Sequence, residues 1–215
     1  MNAIRITIAQ IKDDSMITIA LSKGRQLKDF LDYLDENGHP RWHGALKAAQ
    51  RELLVETSGI RFLLVKGDDV PTYVEEGIAD LGITGSDILA EYDADVNELL
   101  ELPFGYCHFA LASKEERPEY GTIATKYVNY SRSVFERSEK PVKIIKLNGS
   151  VELAAVIGMA DAIVDIVQSG ETLRMNGLKE RIRLDEISAR LIANKHAFFT
   201  KSAEIRSFMN ELKVN

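Results

Sequence analysis

Asp161-Ala-Ile-Val-Asp165-Ile-Val-Gln168-Ser169-Gly170-Glu171-Thr172-Leu173 is an apolar strand that runs into a turn of small residues and then into a helix. Backbone N–H groups converge in such a turn, and a helix N-terminus adds the positive end of its dipole. Ser169 and Thr172 bring hydroxyl donors, and Gly170 lets a ligand approach the main chain. The combination suits a terminal phosphate monoester; an ordinary strand-to-helix connection with a Ser or Thr cap has the same appearance. Asp161, Ile163 and Asp165 share one face by the period of two. Asp165 stands inside the apolar run, where an unpartnered carboxylate costs several kcal/mol. Ribose hydroxyls are natural partners for it; backbone N–H groups or a nearby arginine are the alternative.

The same strand–turn–helix grammar recurs on both sides. Upstream, Ile17–Leu21 is a compact apolar run. The helix after it has Leu27, Phe30, Leu31 and Leu34 at helical spacing and is closed by Gly38. Arg61–Val65 and Ala79–Thr84 read as strands. Asp68 and Asp69 before Pro71 mark a helix start, and Gly77 marks its end. Gly85-Ser86-Asp87 opens another helical turn. Further along, Tyr106–Ala112, Gly121–Ala124, Val142–Leu147 and Arg190–Ala193 read as strands. Helices are expected over Ser131–Ser138, from Asn148-Gly-Ser150 to Ile157, and from Thr200 to Leu212. Alternating strands and helices in two batches define an α/β protein of two lobes. In such sheets ligands sit beyond the carboxyl ends of the strands.

Two further turns carry chemistry. Asn148-Gly-Ser-Val-Glu152-Leu153 puts Glu152 in a first helical turn, where it either complements the helix dipole or stands beside a ribose or its metal. Ser22-Lys23-Gly24-Arg25 places two cations around a glycine at a strand end. That suits anionic oxygens, and it equally fits a solvated loop. Arg51 is a weaker candidate of the same kind.

Composition narrows the class. The chain has 215 residues, 45% apolar and 28% charged, which is enough to build a core without a metal or disulfide staple. Its 33 acidic and 27 basic residues give a net charge of −6, which argues against duplex nucleic acid as the partner. The single cysteine, Cys107, admits no intrachain disulfide and fits a reducing, cytoplasmic setting. No apolar run reaches the length of a membrane span, and Met1–Ser15 lacks the apolar core of a signal peptide. That stretch, with Ile4, Ile6 and Ile8 in alternation, reads as an edge strand or as an extension before Met16. There is no P-loop, no dinucleotide fingerprint and no nucleophile elbow. The four histidines lack zinc spacing and read as surface or packing residues.

Taken in order, the segments resemble the ATP phosphoribosyltransferase family in its short form. The resemblance runs from Met16 through Ile19-Ala-Leu-Ser-Lys-Gly-Arg25, Asp69-Val-Pro-Thr-Tyr-Val74 and Ala79-Asp-Leu-Gly-Ile-Thr-Gly-Ser-Asp-Ile-Leu89. It continues with Ile123-Ala-Thr-Lys-Tyr127, Leu147-Asn-Gly-Ser-Val-Glu-Leu-Ala154, Asp161-Ala-Ile-Val-Asp-Ile-Val167 and Ser169-Gly-Glu-Thr-Leu173. It implies two lobes like those of periplasmic binding proteins, with the active site in the cleft. Lobe I is expected over 16–104 plus 188–215, and lobe II over 105–187. The implied reaction is the first step of histidine biosynthesis. N1 of ATP attacks the anomeric carbon of phosphoribosyl pyrophosphate, with Mg²⁺ present and pyrophosphate leaving.

In the family, the segment matching Ser169, Gly170, Glu171, Thr172 and Leu173 binds the 5-phosphate, and acids matching Glu152 and Asp165 lie by the ribose. Residues matching Lys23, Gly24, Arg25 and Arg51 face pyrophosphate and ATP. Lys66-Gly67 stands where Arg-Ala is usual, Val128 and Ala155 replace prolines, and Gln168 replaces an acid. His108 takes the place of a longer basic residue. The chain ends without the regulatory C-terminal domain of long-form members. The resemblance therefore implies a hetero-oligomer in which the chain self-associates and pairs with a regulatory protein related to histidyl-tRNA synthetase. A non-enzymatic two-lobe binding protein, and a phosphoribosyltransferase with another acceptor, are the alternatives.

Overall fold

The structure, a computed structural model, describes residues 16–49, 51–136 and 141–212. The readings of residues 1–15, and the end of the helix expected to reach Ser138, lie outside them. In chain order the elements are β1 (Ile17–Ser22), α1 (Arg25–Glu36), α2 (Pro40–Ala48), β2 (Leu54–Thr57) and β3 (Ile60–Val65). A 3₁₀ turn at Gly67–Asp69 leads into α3 (Val70–Glu75), β4 (Leu81–Gly85), α4 (Ser86–Glu91) and β5 (Asn97–Ser113). Next come β6 (Thr122–Thr125), α5 (Val128–Phe135), β7 (Lys143–Lys146), α6 (Val151–Val156) and β8 (Ala162–Val167). The chain closes with α7 (Glu171–Met175), β9 (Lys179–Ala193), α8 (Lys195–Thr200) and α9 (Ser202–Glu211).

These elements divide into two compact units. The first takes the described residues up to Gly85, Ala94–Gly105, and those from Ala189 onward; the second takes Ser86–Asp93 and Tyr106–Ser188. In the first, the strand order is β2-β3-β1-β4-β9, with β1 parallel to both its neighbours and antiparallel strands outside them. Every residue of β1 is buried, the signature of a central parallel strand covered on both faces. Phe30 and Leu34 of α1 are fully buried against it, while Leu27 and Leu31 pack at the margin. Gly38 ends α1 at φ 77°, and the His39 N–H returns to the Leu34 carbonyl at 2.9 Å, closing a left-handed cap. In α9, Ile205 and Phe208, with Leu212 just beyond its end, are buried on the expected face.

The second unit has the order β5-β8-β6-β7, with β8, β6 and β7 parallel. The period of two in β8 divides its side chains as its sequence requires. Ile163 and Val167 join a core with α6 and α7, and Ala162, Val164 and Ile166 join another with Tyr127 and Tyr130.

The structure differs from the sequence reading in four places. Helix α2 has only Trp42 and Leu46 fully buried along its length, too sparse a stripe to announce a helix. The short edge strand β2 was not foreseen either. β5 and β9 run to 17 and 15 residues, well past the expected strands. Their extra lengths are charge-rich, and the charges are engaged: Arg190 with Glu98 and Glu101, Arg183 with Glu186, Arg181 with Ser113. The fourth concerns Ser86–Asp93, which the reading counted with the first lobe and which groups with the second unit. Ser86 Oγ accepts from the Ser188 N–H, Asp87 accepts from the Tyr127 hydroxyl, and Glu91 accepts from the N–H groups of Asn129 and Tyr130. Among the described residues, no helix is long and apolar enough to cross a membrane.

Candidate active site

The parallel strands of the second unit end in three turns, and most of the predicted residues lie in these turns or beside them. After β8, Gly170 adopts φ 69°. A β-carbon there would meet nothing closer than 3.8 Å, so the backbone conformation, not space, requires glycine. Ser169 Oγ accepts from the Glu171 N–H at 3.4 Å, and Arg174 donates to the Ser169 carbonyl at 3.2 Å. Ser169, Glu171 and Thr172 are exposed, whereas Leu173 is buried and ties the turn to the core. Beside the turn lies a cavity of about 400 Å³ lined by Ser169, Gly170, His108, Arg174, Glu180 and Arg183. His108 is buried, with its Nε2 3.1 Å from both Glu180 carboxylate oxygens. The position where the resemblance implied a longer basic residue thus holds a clamped ring.

Asp165 sits in the strand that leads into this turn, two residues before the end of β8. The Ile166 N–H donates to its Oδ1 at 2.8 Å. Burial raises its carboxyl from 3.8 to about 6; the Ile166 N–H opposes this, Glu152 and Asp87 add to it, and Lys126 offsets part. Glu152, in the first turn of α6, is therefore close enough to Asp165 for their charges to interact. It follows Ser150, which holds φ 50° and so sets the helix start. Asp161, grouped with Asp165 by period, is used differently. Its carboxylate accepts from the N–H groups of Gly121 and Thr122 at 3.0 and 2.9 Å and pairs with Arg117. It fastens β6 to β8.

In the first unit the basic residues gather at the carboxyl ends of β1 and β3. Lys23, Gly24 and Arg25 form an exposed turn, with Gly24 at φ 83° and the Lys23 N–H bonded to the Val65 carbonyl at 2.9 Å. Arg51 is exposed just before the Leu53 carbonyl, which accepts from the Leu64 N–H at 2.8 Å; that places it near the same strand end. Lys66 pairs with Asp68 at 3.0 Å. A side chain at Gly67 would come within 2.9 Å of Ser22 Oγ.

Sequence reasoning missed Asp87, Lys126 and Tyr127. Lys126 and Tyr127 follow the end of β6 in the quoted segment 123–127. Their position after a parallel strand was the available signal; the partner Asp87 is 40 residues away and left none.

The chain is thus an α/β protein of mixed sheet in two units, with basic turns at the strand ends of one and a carboxylate pair before a small-residue turn in the other, groups of the kind that suit anionic ligands. The family model described as "HisG: ATP phosphoribosyltransferase" matches residues 66–214. An ATP phosphoribosyltransferase of Staphylococcus carnosus is 53% identical over 201 residues, covering 93% of this chain and 98% of the relative. One of Staphylococcus saprophyticus is 48% identical over 200 residues, with the same coverage. A solved ATP phosphoribosyl transferase (HisG:HisZ) complex from Thermotoga maritima superposes with TM-score 0.76 at 32% identity, covering 92% of this chain and 97% of that one. The BvgS VFT2 domain of Bordetella pertussis, 12% identical with TM-score 0.58, shares the fold alone. The chain belongs to the ATP phosphoribosyltransferase family. It is a pentosyltransferase whose reaction, joining the phosphoribosyl group to ATP, opens histidine biosynthesis.

Proposed function

We propose that Asp165 and Glu152 hold the ribose of phosphoribosyl pyrophosphate, and that Ser169, Gly170, Glu171, Thr172 and Leu173 form the cradle for its 5-phosphate. The observation that carries this is the placement of Asp165: a half-buried carboxylate, with Glu152 acting on it, immediately ahead of a turn that needs glycine. Ribose hydroxyls donate to the ionised acid and relieve the cost of its burial. Lys23, Gly24, Arg25 and Arg51 are assigned to the phosphate oxygens of ATP and of the leaving pyrophosphate. Each charged hydrogen bond to pyrophosphate contributes about 1.5–3 kcal/mol.

Positive charge grows on the anomeric carbon as pyrophosphate departs. Fixed carboxylates beside the ribose stabilise it without reorganising, and the turn holds the sugar by its 5-phosphate. No covalent nucleophile is needed. Magnesium is part of this reading. Among the described residues no group of three or more His, Cys, Asp or Glu side chains forms a metal cage. That fits a cation carried by phosphate and water oxygens, with Glu152 as the protein's contribution. Bound there, it supplies charge neutralisation for the leaving group.

We further infer a regulatory partner related to histidyl-tRNA synthetase, with self-association of this chain inside the assembly and a cytoplasmic location. The solved relative described as a HisG:HisZ complex supports the partner. The deciding experiment supplies ATP, phosphoribosyl pyrophosphate and Mg²⁺ and follows phosphoribosyl-ATP by absorbance and mass. A protein that binds both substrates and forms no product is a binding protein; product only with another acceptor reassigns the substrate.

A further inference from the structure

The turn after β6 has no role in the reading above, yet it is held more firmly than a surface turn requires. Tyr127 is 3% exposed. Its N–H donates to Thr125 Oγ1 at 2.9 Å, and Phe109 meets its ring edge-on at 5.0 Å. Its hydroxyl donates to Asp87 Oδ2 at 2.9 Å. Asp87 is 8% exposed and opens α4, a segment of the second unit bounded on both sides by first-unit chain. Burial raises its carboxyl, against the hydrogen bond from Tyr127. Two apolar side chains would pack here at no such cost, so the polar pair acts through its geometry.

Lys126 precedes Tyr127 in this turn, and the parallel pairing of Thr125 with Val164 sets it level with Asp165 on the neighbouring strand. Its Nζ is 5.5 Å from the centre of the Tyr127 ring, and its charge acts favourably on both Asp87 and Asp165. The charged groups acting on Asp165 are thus Glu152, Asp87 and Lys126: two further acids and one base. Without the ammonium, three carboxylates would confront an incoming polyanionic sugar. At a fixed position it offsets part of that repulsion while leaving the acids to face the developing sugar cation.

We propose that Asp87 is a positioning residue for phosphoribosyl transfer: by binding the Tyr127 hydroxyl it fixes the turn that holds Lys126 level with Asp165, the acid on which Glu152 also acts. The proposal rests on the assignment of the ribose to those two acids. Its consequence is selective. Loosening the turn weakens binding of the sugar substrate and leaves ATP binding as it was.

The test uses the full chain, together with its partner where activity requires one. Michaelis constants for both substrates and melting temperatures are measured for the wild type, Tyr127→Phe, Lys126→Met, the double variant, Asp87→Asn and Asp87→Ala. Tyr127→Phe and Lys126→Met are each expected to raise KM for phosphoribosyl pyrophosphate about tenfold, with KM for ATP within about twofold of wild type. The double variant should match Lys126→Met alone, because the tie then has nothing left to hold. Asp87→Asn still offers the hydroxyl an acceptor and should lose less than Asp87→Ala. Additive effects, equal losses on both substrates, or a lowered melting temperature with unchanged kinetics would overturn the proposal. A wild type that makes no phosphoribosyl-ATP overturns the transferase reading and this inference with it; an active wild type with additive variants overturns this inference alone.

Discussion

The buried carboxyl of Asp165 costs stability in the charged form that is proposed to meet the ribose. Its carboxyl is raised from 3.8 to about 6, chiefly by burial, so the folded chain binds the proton more tightly than the unfolded one. Stability from this group therefore falls as pH rises from 3.8 to about 6, and the full penalty stands above that. Asp165→Asn mimics the neutral acid. It should raise the unfolding free energy by ~2 kcal/mol at about pH 8, after allowance for partial exposure, and by almost nothing at about pH 3.5. The same variant should lose about 10- to 100-fold in kcat/KM, the worth of a charged hydrogen bond to a ribose hydroxyl. Urea titrations at the two pH values and steady-state kinetics check both halves. Gly170→Val tests the neighbouring turn. A branched side chain at φ 69° costs about 1–2 kcal/mol and distorts the cradle. KM for phosphoribosyl pyrophosphate should rise with KM for ATP unchanged; unaltered kinetics would remove the turn from the site.

Among the elements, α4 depends most on partners distant in sequence. Glu91, 7% exposed, accepts from the N–H groups of Asn129 and Tyr130 at 2.8 and 3.3 Å, while its own carbonyl accepts from Asn129 Nδ2. It caps α5 from another element, in place of a side chain at the helix's own N-terminus. Glu91→Ala leaves those N–H groups unpaired and should cost about 1–3 kcal/mol, with Glu91→Gln losing less. The urea midpoint should fall with its slope unchanged. No period or cap signal in the sequence couples residue 91 to residue 129. Helices α1 and α9 were legible because their apolar stripes are complete. α2 was not, because its core contact rests on Trp42 and Leu46. The charged halves of β5 and β9 were hidden because ion pairs, not alternation, hold their surface residues.

At the scale of the whole molecule, the proposed partner makes a prediction about regulation. Histidine should leave the isolated chain's activity unchanged and inhibit it once the regulatory protein is added, with both eluting together on gel filtration. Inhibition of the chain alone, at its own elution volume, would place the sensor within this polypeptide. Membership of the family was legible because its motifs are short and contiguous. Most are a strand end and the turn after it, Asp69–Val74 being a helix start instead, and local chain geometry dictates those residue types.

The alternation of strands and helices, the glycines that turns require, and the acids and hydroxyls proposed to meet a phosphorylated ligand were legible in the sequence. All of these are set by residues within a few positions of one another. Only the packed fold gives Asp161 its strand-pinning role, while Asp165, four residues on, accepts from the Ile166 N–H and has its carboxyl raised by burial. That fold alone joined Asp87 to Tyr127 and gave Ser86–Asp93 to the second unit. The reason is physical. The charge, burial and partners of a side chain are fixed by whatever packs against it, and for these residues that is chain from about 40 positions away or more.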